Sequence, residues 1–144
     1  MAKKKSKSSA KKKQSTITRG KRKESVARAT VFKGSGVFRV NRFKAENVFP
    51  PLIFDLVREP LLLAGNAASK VDVYVSVNGG GIMSQAQAVR TAVARGLVDF
   101  LKDSSLEQKF KEQDPHLIKE DVRRVEPKKY LGPKARARRQ KSYR

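Results

Sequence analysis

The sequence contains no cysteine and only one histidine, His116. Without cysteine there is neither a disulfide framework nor a zinc ribbon. No run of 18 apolar residues is present, which argues against a transmembrane helix. No apolar signal-peptide core follows Met1. We therefore expect a soluble cytoplasmic protein that carries no metal and no other cofactor.

Residues suited to enzymatic chemistry are also scarce. His116 follows Pro115 in a predicted loop, where a histidine is more often structural or solvated than catalytic. Ser142 has no base near it in the sequence. The sequence assembles no nucleophile, base and orienting group. It also lacks G-x-x-x-x-G-K-[ST] and G-x-G-x-x-G, so a nucleotide-binding loop is unsupported. We predict a protein that is not an enzyme.

Positive charge, in contrast, is abundant and concentrated at both ends of the chain. The formal net charge is +21 over 144 residues. Residues 1–28 hold twelve Lys or Arg and one Glu, and residues 122–144 hold ten and one. Residues 29–121 balance twelve basic residues against eleven acidic ones. Arms so charged repel themselves until a polyanion neutralises them. Nucleic acid is the leading candidate, and an anionic membrane is weaker because neither arm has a regular apolar face.

RNA is favoured over DNA as the polyanion. The C-terminal segment is rich in arginine, which binds phosphate in a bidentate manner and stacks on bases. Disordered arginine-rich segments commonly become ordered on structured RNA. No helix-turn-helix, cysteine finger or basic zipper is present to read a DNA groove. A protein-binding tail is less favoured, since the arms contain little apolar surface.

The most informative stretch is residues 71–101, where the hydrophobic period changes. Valines at alternate positions from Val71 to Val77 predict a strand, and residues 78–81 (Asn-Gly-Gly-Gly) predict a turn. Ser84 and Gln87 match a capping box, and apolar residues then follow at helical spacing to Leu101. A turn opening onto a helix N-terminus attracts phosphate. A tight turn without a ligand fits the same pattern equally well.

Patterns elsewhere predict an α+β protein with one domain and two extensions. A β-hairpin is predicted over 25–41, and short helices over 43–49 and 52–58, the second ending before Pro60. We predict a loop at 65–68, a short helix capped by Ser104 or Ser105 that runs through Phe110 with Asp114-Pro115 as a stop, and an extended segment at 118–125. Arg95 and Asp99 are spaced as a helix surface pair. The chain is predicted to divide into three units: a disordered Lys/Ser-rich extension (1–15), a globular RNA-binding domain (16–126) and an extended basic tail (127–144).

Four stretches resemble a known family, the universal small-subunit ribosomal protein nine in its archaeal/eukaryotic form, numbered sixteen in eukaryotes. They are residues 20–29 (GKRKESVARA), 77–81 (VNGGG) with Gln85-Ala86 and Arg90 behind it, 123–130 (RRVEPKKY), and 135–138 (ARAR) with the end QKSYR. They occur in family order and span about residues 16–144. One departure is that Leu131 and Lys134 replace glycines expected beside Gly132-Pro133.

The resemblance implies both a fold and a place of action. The fold would be a small sheet with helices packed on one side, similar to the second domain of ribosomal protein five. The protein would sit in the head of the small ribosomal subunit, on rRNA and beside neighbouring head proteins, rather than form a homo-oligomer. Its C-terminal tail would reach the transfer RNA in the peptidyl site.

The resemblance also implies residue roles. The tRNA-proximal residues would be Lys141, Ser142, Tyr143 and Arg144, with Arg144 nearest the phosphates of the anticodon stem-loop. The rRNA-binding residues would be glycines of the turn and basic residues around it and in the tail: Arg19, Lys21, Arg22, Lys23, Arg28, Gly79, Gly80, Gly81, Arg90, Lys128, Lys129, Lys134, Arg136, Arg138 and Arg139. Two alternatives stay open: a free RNA- or chromatin-binding protein, and an enzyme related to the phosphate-binding kinases that share the implied fold superfamily.

Overall fold

A single mixed sheet forms the centre of the structure, a computed structural model that describes residues 14–139 and 142. The strands are β1 (Ser15–Arg22), β2 (Ser25–Lys33), β3 (Phe38–Val40), β4 (Phe43–Lys44) and β5 (Val71–Asn78). Their order across the sheet is β1-β2-β5-β3-β4. Neighbours are antiparallel except β3 and β5, which are parallel.

Two helices lie between β4 and β5, and two follow β5. They are α1 (Ala45–Val48), α2 (Pro51–Ala64), α3 (Ile82–Leu101) and α4 (Ser104–Gln113), with 3-10 turns at Gly65–Lys70 and Pro115–Leu117. The predicted α+β class is confirmed. So is the helix stop at Asp114-Pro115, because α4 ends at Gln113. The predicted cap, Ser104 or Ser105, is wrong, because the N-cap of α4 is Asp103, whose side chain accepts from the Ser105 amide at 2.9 Å. Residues 118–125 form no regular element.

The predicted strand, glycine turn and helix of residues 71–101 are confirmed. Strand β5 is the middle strand, and its alternate valines are buried. The predicted capping box is wrong, because α3 begins at Ile82, two residues before Ser84. Gly81 is the N-cap, and the Gln85 amide already donates to its carbonyl at 2.9 Å. Ser84 therefore lies inside the first turn.

The predicted hairpin over residues 25–41 is wrong. Strand β2 pairs with β1 and β5, whereas β3 crosses to the far side of β5. Asp72 explains the crossing, because its Oδ1 accepts from the amides of Ser35 and Val37 at 2.8 and 2.9 Å. These bonds tie the 33–37 loop to β5 and direct the chain past it. Strand β1, which the sequence presented only as a basic lead-in, takes the vacant edge of β2.

Helix α2 runs through Pro60 rather than ending before it. A proline inside a helix removes one hydrogen bond and costs about 3 kcal/mol. Pro60 is buried three residues after the buried Val57, on the side of α2 that packs against α3. Burial of this apolar face offsets the lost bond. The helix predicted at 43–49 is shorter than expected, since residues 43–44 form β4 and α1 covers only four residues.

The helices cover one face of the sheet and leave the other face open. Helix α3 packs across β1 and β2, where the Thr18 hydroxyl donates to the Ala92 carbonyl at 2.7 Å. At Gly20 the strand lies against the helix backbone: a Cβ there would stand 2.1 Å from the Ala88 carbonyl oxygen. The side chains that alternate with the buried ones in β1, β2 and β5 face away from this core.

Candidate nucleic-acid interface

The glycine turn after β5 lies against the turn between β1 and β2. Gly79 and Gly80 have φ values of +76° and +66°, which favour glycine. A Cβ on Gly79 would stand 2.7 Å from the Glu24 carbonyl oxygen, and one on Gly80 would stand 2.2 Å from Ser25 Oγ. The Ser25 hydroxyl donates to the Gly79 carbonyl at 2.8 Å. Contacts within the protein are thus sufficient to require glycine at both positions.

Gly81 differs from the two glycines before it. Its φ of −97° is open to any residue, and a Cβ there would meet no atom within 4 Å. It caps a 20-residue helix with no side-chain cap bond and no acidic residue in the first turn. The first amides of a helix lack intrahelical partners, and they carry the positive end of the helix dipole. Among the three predicted glycines, Gly81 is the one that leaves room for a ligand backbone.

Two of the predicted rRNA-binding residues are engaged inside the protein. The Arg90 side chain is only 12% exposed, and it donates to Glu59 of α2 and to Asp114 after α4, each at 2.6 Å. Arg22 donates to Gln87 at 2.6 Å and pairs with Asp121 at 2.8 Å. These contacts connect separate elements to α3, so both arginines have structural roles whatever else they contact.

The carboxylates of this network are adapted to their cationic neighbours. Partial burial by itself would raise the pKa of Asp114, but the His116 amide and the Arg90 guanidinium outweigh it and hold the pKa below its ordinary value. The Arg123 amide is the main cause of the lowered pKa of Asp121, with Arg22 adding to it. Both groups are therefore negatively charged at neutral pH. Arg95, predicted to pair with Asp99, instead donates to the carbonyls of Ile118 and Arg19.

The open face of the sheet gathers basic residues from several strands. Arg19 and Arg28 are direct cross-strand partners, both exposed, and Lys21 lies next on β1. Sequence reasoning missed Arg39 and Arg42, which line the same face from β3 and the turn after it. The alternation within 71–78 placed Tyr74 opposite the valines. Which basic side chains lie beside Tyr74 depends on the pairing of β1 and β3, which was not predicted.

The basic tail carries the other predicted residues at the surface. Lys128, Lys129 and Arg139 line one hollow with Tyr130. Arg136 forms a bidentate pair with Glu126, with contacts of 2.6 to 3.1 Å, so the tail bends back there. The remaining members of this group are all exposed: Lys134 and Arg138. Leu131 has a φ of +60°, a conformation typical of glycine.

The ends of the predicted interface are described only in part. Ser142 is exposed. Lys141, Tyr143 and Arg144 lie outside the described residues, as does almost all of the extension predicted over 1–15. Lys23, at the β1–β2 turn, is exposed with a φ of +54°. The structure therefore brings together the basic residues of β1, β2 and their turn, and holds the tail residues as a separate group.

Comparison with known proteins decides the family. The profile described as "Ribosomal protein S9/S16" matches residues 20–144. The chain belongs to the ribosomal protein S9/S16 family. It is 49% identical over 128 residues to small ribosomal subunit protein uS9 of Thermoplasma volcanium, covering 89% of this chain and 97% of the relative. The uS9 protein of Halobacterium salinarum is 48% identical over 130 residues, covering 90% and 98%.

Membership of the S9/S16 family confirms the resemblance found in the sequence. It also confirms that the chain is a ribosomal protein rather than an enzyme. Within the described part of the chain, no group of three or more His, Cys, Asp or Glu side chains is arranged to hold a metal ion. No helix among the same residues has both the length and the apolar character needed to cross a bilayer.

Proposed function

We propose that this protein is a constituent of the cytoplasmic small ribosomal subunit, where it binds rRNA in the head and contacts the peptidyl-site tRNA with its C-terminal end. The observation that carries the proposal is the match to uS9 proteins along nearly their whole length, at 46 to 49% identity for the relatives from Thermoplasma, Desulfurococcus and Methanothrix. We also propose that the fold is of the type found in the second domain of ribosomal protein five.

Charge and exposure support rRNA as the main ligand. The chain has a net charge of +21, most of it outside the balanced middle region. Basic proteins bind nucleic acid largely by releasing counterions from phosphates, so exposed Lys and Arg supply affinity without sequence readout. The exposed basic residues of β1, β2 and the tail fit this role. Because Arg22 and Arg90 are held in internal ion pairs, the proposal does not depend on them.

The glycine turn has a narrower role in the proposal. Gly79 and Gly80 shape the turn through their packing on Glu24 and Ser25. Gly81 and the first amides of α3 then offer donors to a phosphate, with Lys23 of the adjoining turn close to the same end of the sheet. Helix N-termini bind anions through these amides and the helix dipole.

We also propose the domain organisation that the sequence predicts: a globular part over 16–126, a basic tail over 127–144 and an N-terminal extension before them. Eighteen residues span at most roughly 60 Å when fully extended. A tail of that reach can contact a tRNA that the globular part does not touch. Lys141, Ser142, Tyr143 and Arg144 are its proposed tRNA contacts.

Sedimentation tests the first part of the proposal. The tagged chain should co-sediment with small subunits in near-stoichiometric amounts and resist a moderate-salt wash. Recovery at the top of the gradient, or loss in the wash, would instead favour a free RNA- or chromatin-binding protein.

Filter binding tests the tail. Subunits carrying a chain without residues 141–144 should assemble normally but retain peptidyl-site tRNA less well, since charge-assisted contacts contribute about 1.5–3 kcal/mol each. Arg144→Lys should lie between wild type and the deletion of Arg144, because it keeps the charge but loses the bidentate contact. Unchanged tRNA affinity in the four-residue deletion would refute the tail's role.

A further inference from the structure

The open face of the sheet carries a row of side chains that lie outside the hydrophobic core of the described residues. The register places Ile17, Thr30, Tyr74 and Arg39 side by side on β1, β2, β5 and β3. Ile17 is 69% exposed and Tyr74 is 38% exposed. Together with Arg28 and other residues they line a hollow of about 620 Å³. A row of one aliphatic, one hydroxyl, one aromatic and one basic side chain therefore lines a broad concave surface.

The tyrosine is held in a fixed orientation. Its ring stacks on Phe32, with centroids 5.2 Å apart and an interplanar angle of 15°. The Arg39 guanidinium carbon lies 6.0 Å from the Tyr74 centroid, at the outer limit of a cation–π contact. A rigid, partly exposed ring beside an arginine is the arrangement on which unpaired bases stack.

Among the described residues, the arginines of this face form no ion pair with a carboxylate. Arg19 and Arg28 lie directly opposite each other in the antiparallel β1–β2 pair, and like charges in that position are destabilising. Arg42 lines the same hollow. The carboxylate that β5 places on this side is Asp72, whose Oδ1 accepts from the loop amides of Ser35 and Val37. A phosphate between the paired arginines would relieve their repulsion.

We propose that the open sheet face binds an unpaired segment of RNA, with a base stacked on Tyr74 and the phosphates held by Arg28, Arg39 and Arg42. The inference rests on the proposed function, because the RNA would be an unpaired stretch of the small-subunit rRNA. The charge of the face favours RNA over a docked protein, and the exposed ring favours unpaired bases over a duplex. The hydroxyls of Thr30 and Ser76 line the same hollow and are placed to bond bases or ribose.

Binding of the full-length protein to fluorescein-labelled octauridine, measured by anisotropy across a salt series, tests the proposal. Tyr74→Ala should weaken binding about tenfold, because stacking on one aromatic side chain contributes that much or more. Tyr74→Phe keeps the ring and should bind within twofold of wild type, and both variants should leave binding to a short RNA duplex unchanged. Equal octauridine affinity for wild type and Tyr74→Ala would overturn the inference.

Charge variants provide a second readout. Arg28→Gln and Arg39→Gln should each reduce the magnitude of the negative slope of log K against log salt by about 0.7, the value for one phosphate of a single strand. Arg58→Gln is the matched control, because Arg58 lies on α2, in the helical layer, and its ion pair with Asp55 is exposed. An equal change of slope in all three variants would show that the arginines of this face contribute only general positive charge, and it would overturn the proposal.

Ultraviolet crosslinking of intact small subunits separates this inference from the proposed function. A nucleotide adduct on Tyr74, within the tryptic peptide 71–90, would support an RNA-bound face, whereas a protein crosslinked to Tyr74 in its place would overturn it. If the chain is present in subunits but Tyr74→Ala binds octauridine like wild type, only the further inference fails. If the chain is absent from subunits, the proposed function fails whatever the octauridine result.

Discussion

Replacing Gly81 with aspartate should stabilise the fold and at the same time weaken its binding to rRNA. Gly81 caps α3 without any side-chain bond, and a side chain there would enter open space. Aspartate is among the preferred N-cap residues, because its carboxylate accepts from the free amides of the first turn. A phosphate bound at the same amides would be displaced and repelled. The two effects therefore have opposite signs.

The magnitudes follow from the helix end. Exchange of glycine for aspartate at an N-cap contributes a few tenths of a kcal/mol, and the helix dipole adds about 0.3–1 kcal/mol. The melting temperature should rise by roughly 2–5 °C. Loss of one charge-assisted phosphate contact costs about 1.5–3 kcal/mol, or a factor of ten or more in affinity.

The assay compares stability and assembly in the same variant. Stability is measured by thermal denaturation of the full chain. Assembly is measured by competition: tagged variant and untagged wild type are expressed together, and their amounts in small subunits are compared. Gln108→Glu on the exposed side of α4 is the control, since it makes the same change in net charge with almost no change in shape. The control should compete equally with wild type, whereas Gly81→Asp should be recovered about tenfold less often.

Two results would refute the reasoning. If Gly81→Asp is more stable and still competes equally, no phosphate lies at the start of α3, and the glycine turn serves the fold alone. If Gly81→Asp is less stable than wild type, Gly81 is not an open N-cap.

Three further predictions concern the interior. Gly80→Ala should lower the melting temperature by roughly 10 °C. The reason is that the strained φ and the clash with Ser25 Oγ together cost about 2–3 kcal/mol. A melting curve like that of wild type would contradict the packing of the turn. Arg90→Ala should lower the free energy of unfolding, measured by urea titration, by about 2–4 kcal/mol, because it leaves two carboxylates unpaired. Arg58→Ala breaks an exposed ion pair and should lower it by less than about 1 kcal/mol. The pKa of Asp114 is lowered in the folded state, so its carboxylate contributes fully to the free energy of unfolding above the ordinary pKa of 3.8, and this contribution is lost as the pH falls below that value. Wild type should therefore lose more stability than Asp114→Asn between pH 6 and pH 3. Parallel curves of stability against pH for the two proteins would contradict the assignment.

The sequence by itself determined the features that depend on neighbouring residues. The alternation of valines from Val71 to Val77 and the helical spacing up to Leu101 identified β5 and α3, because periodicity is a local property of the chain. Asp114-Pro115 correctly marked the end of α4. The matching stretches from residue 20 to the C-terminus indicated the family through residue identity alone. The charge at the two ends predicts nucleic acid as the class of ligand.

Only the tertiary structure decided how these pieces combine. The turn at residues 33–36 is compatible with a hairpin, but Asp72, which is distant in sequence, binds the loop and moves β3 to the other side of β5. Pro60 stays within α2 because burial against α3 offsets its missing bond. Arg90 is a basic residue of the kind that binds RNA, but in the fold it forms ion pairs with Glu59 and Asp114 inside the protein. In each case the outcome depends on a partner far along the chain, and such contacts leave no periodic trace in the residues around them.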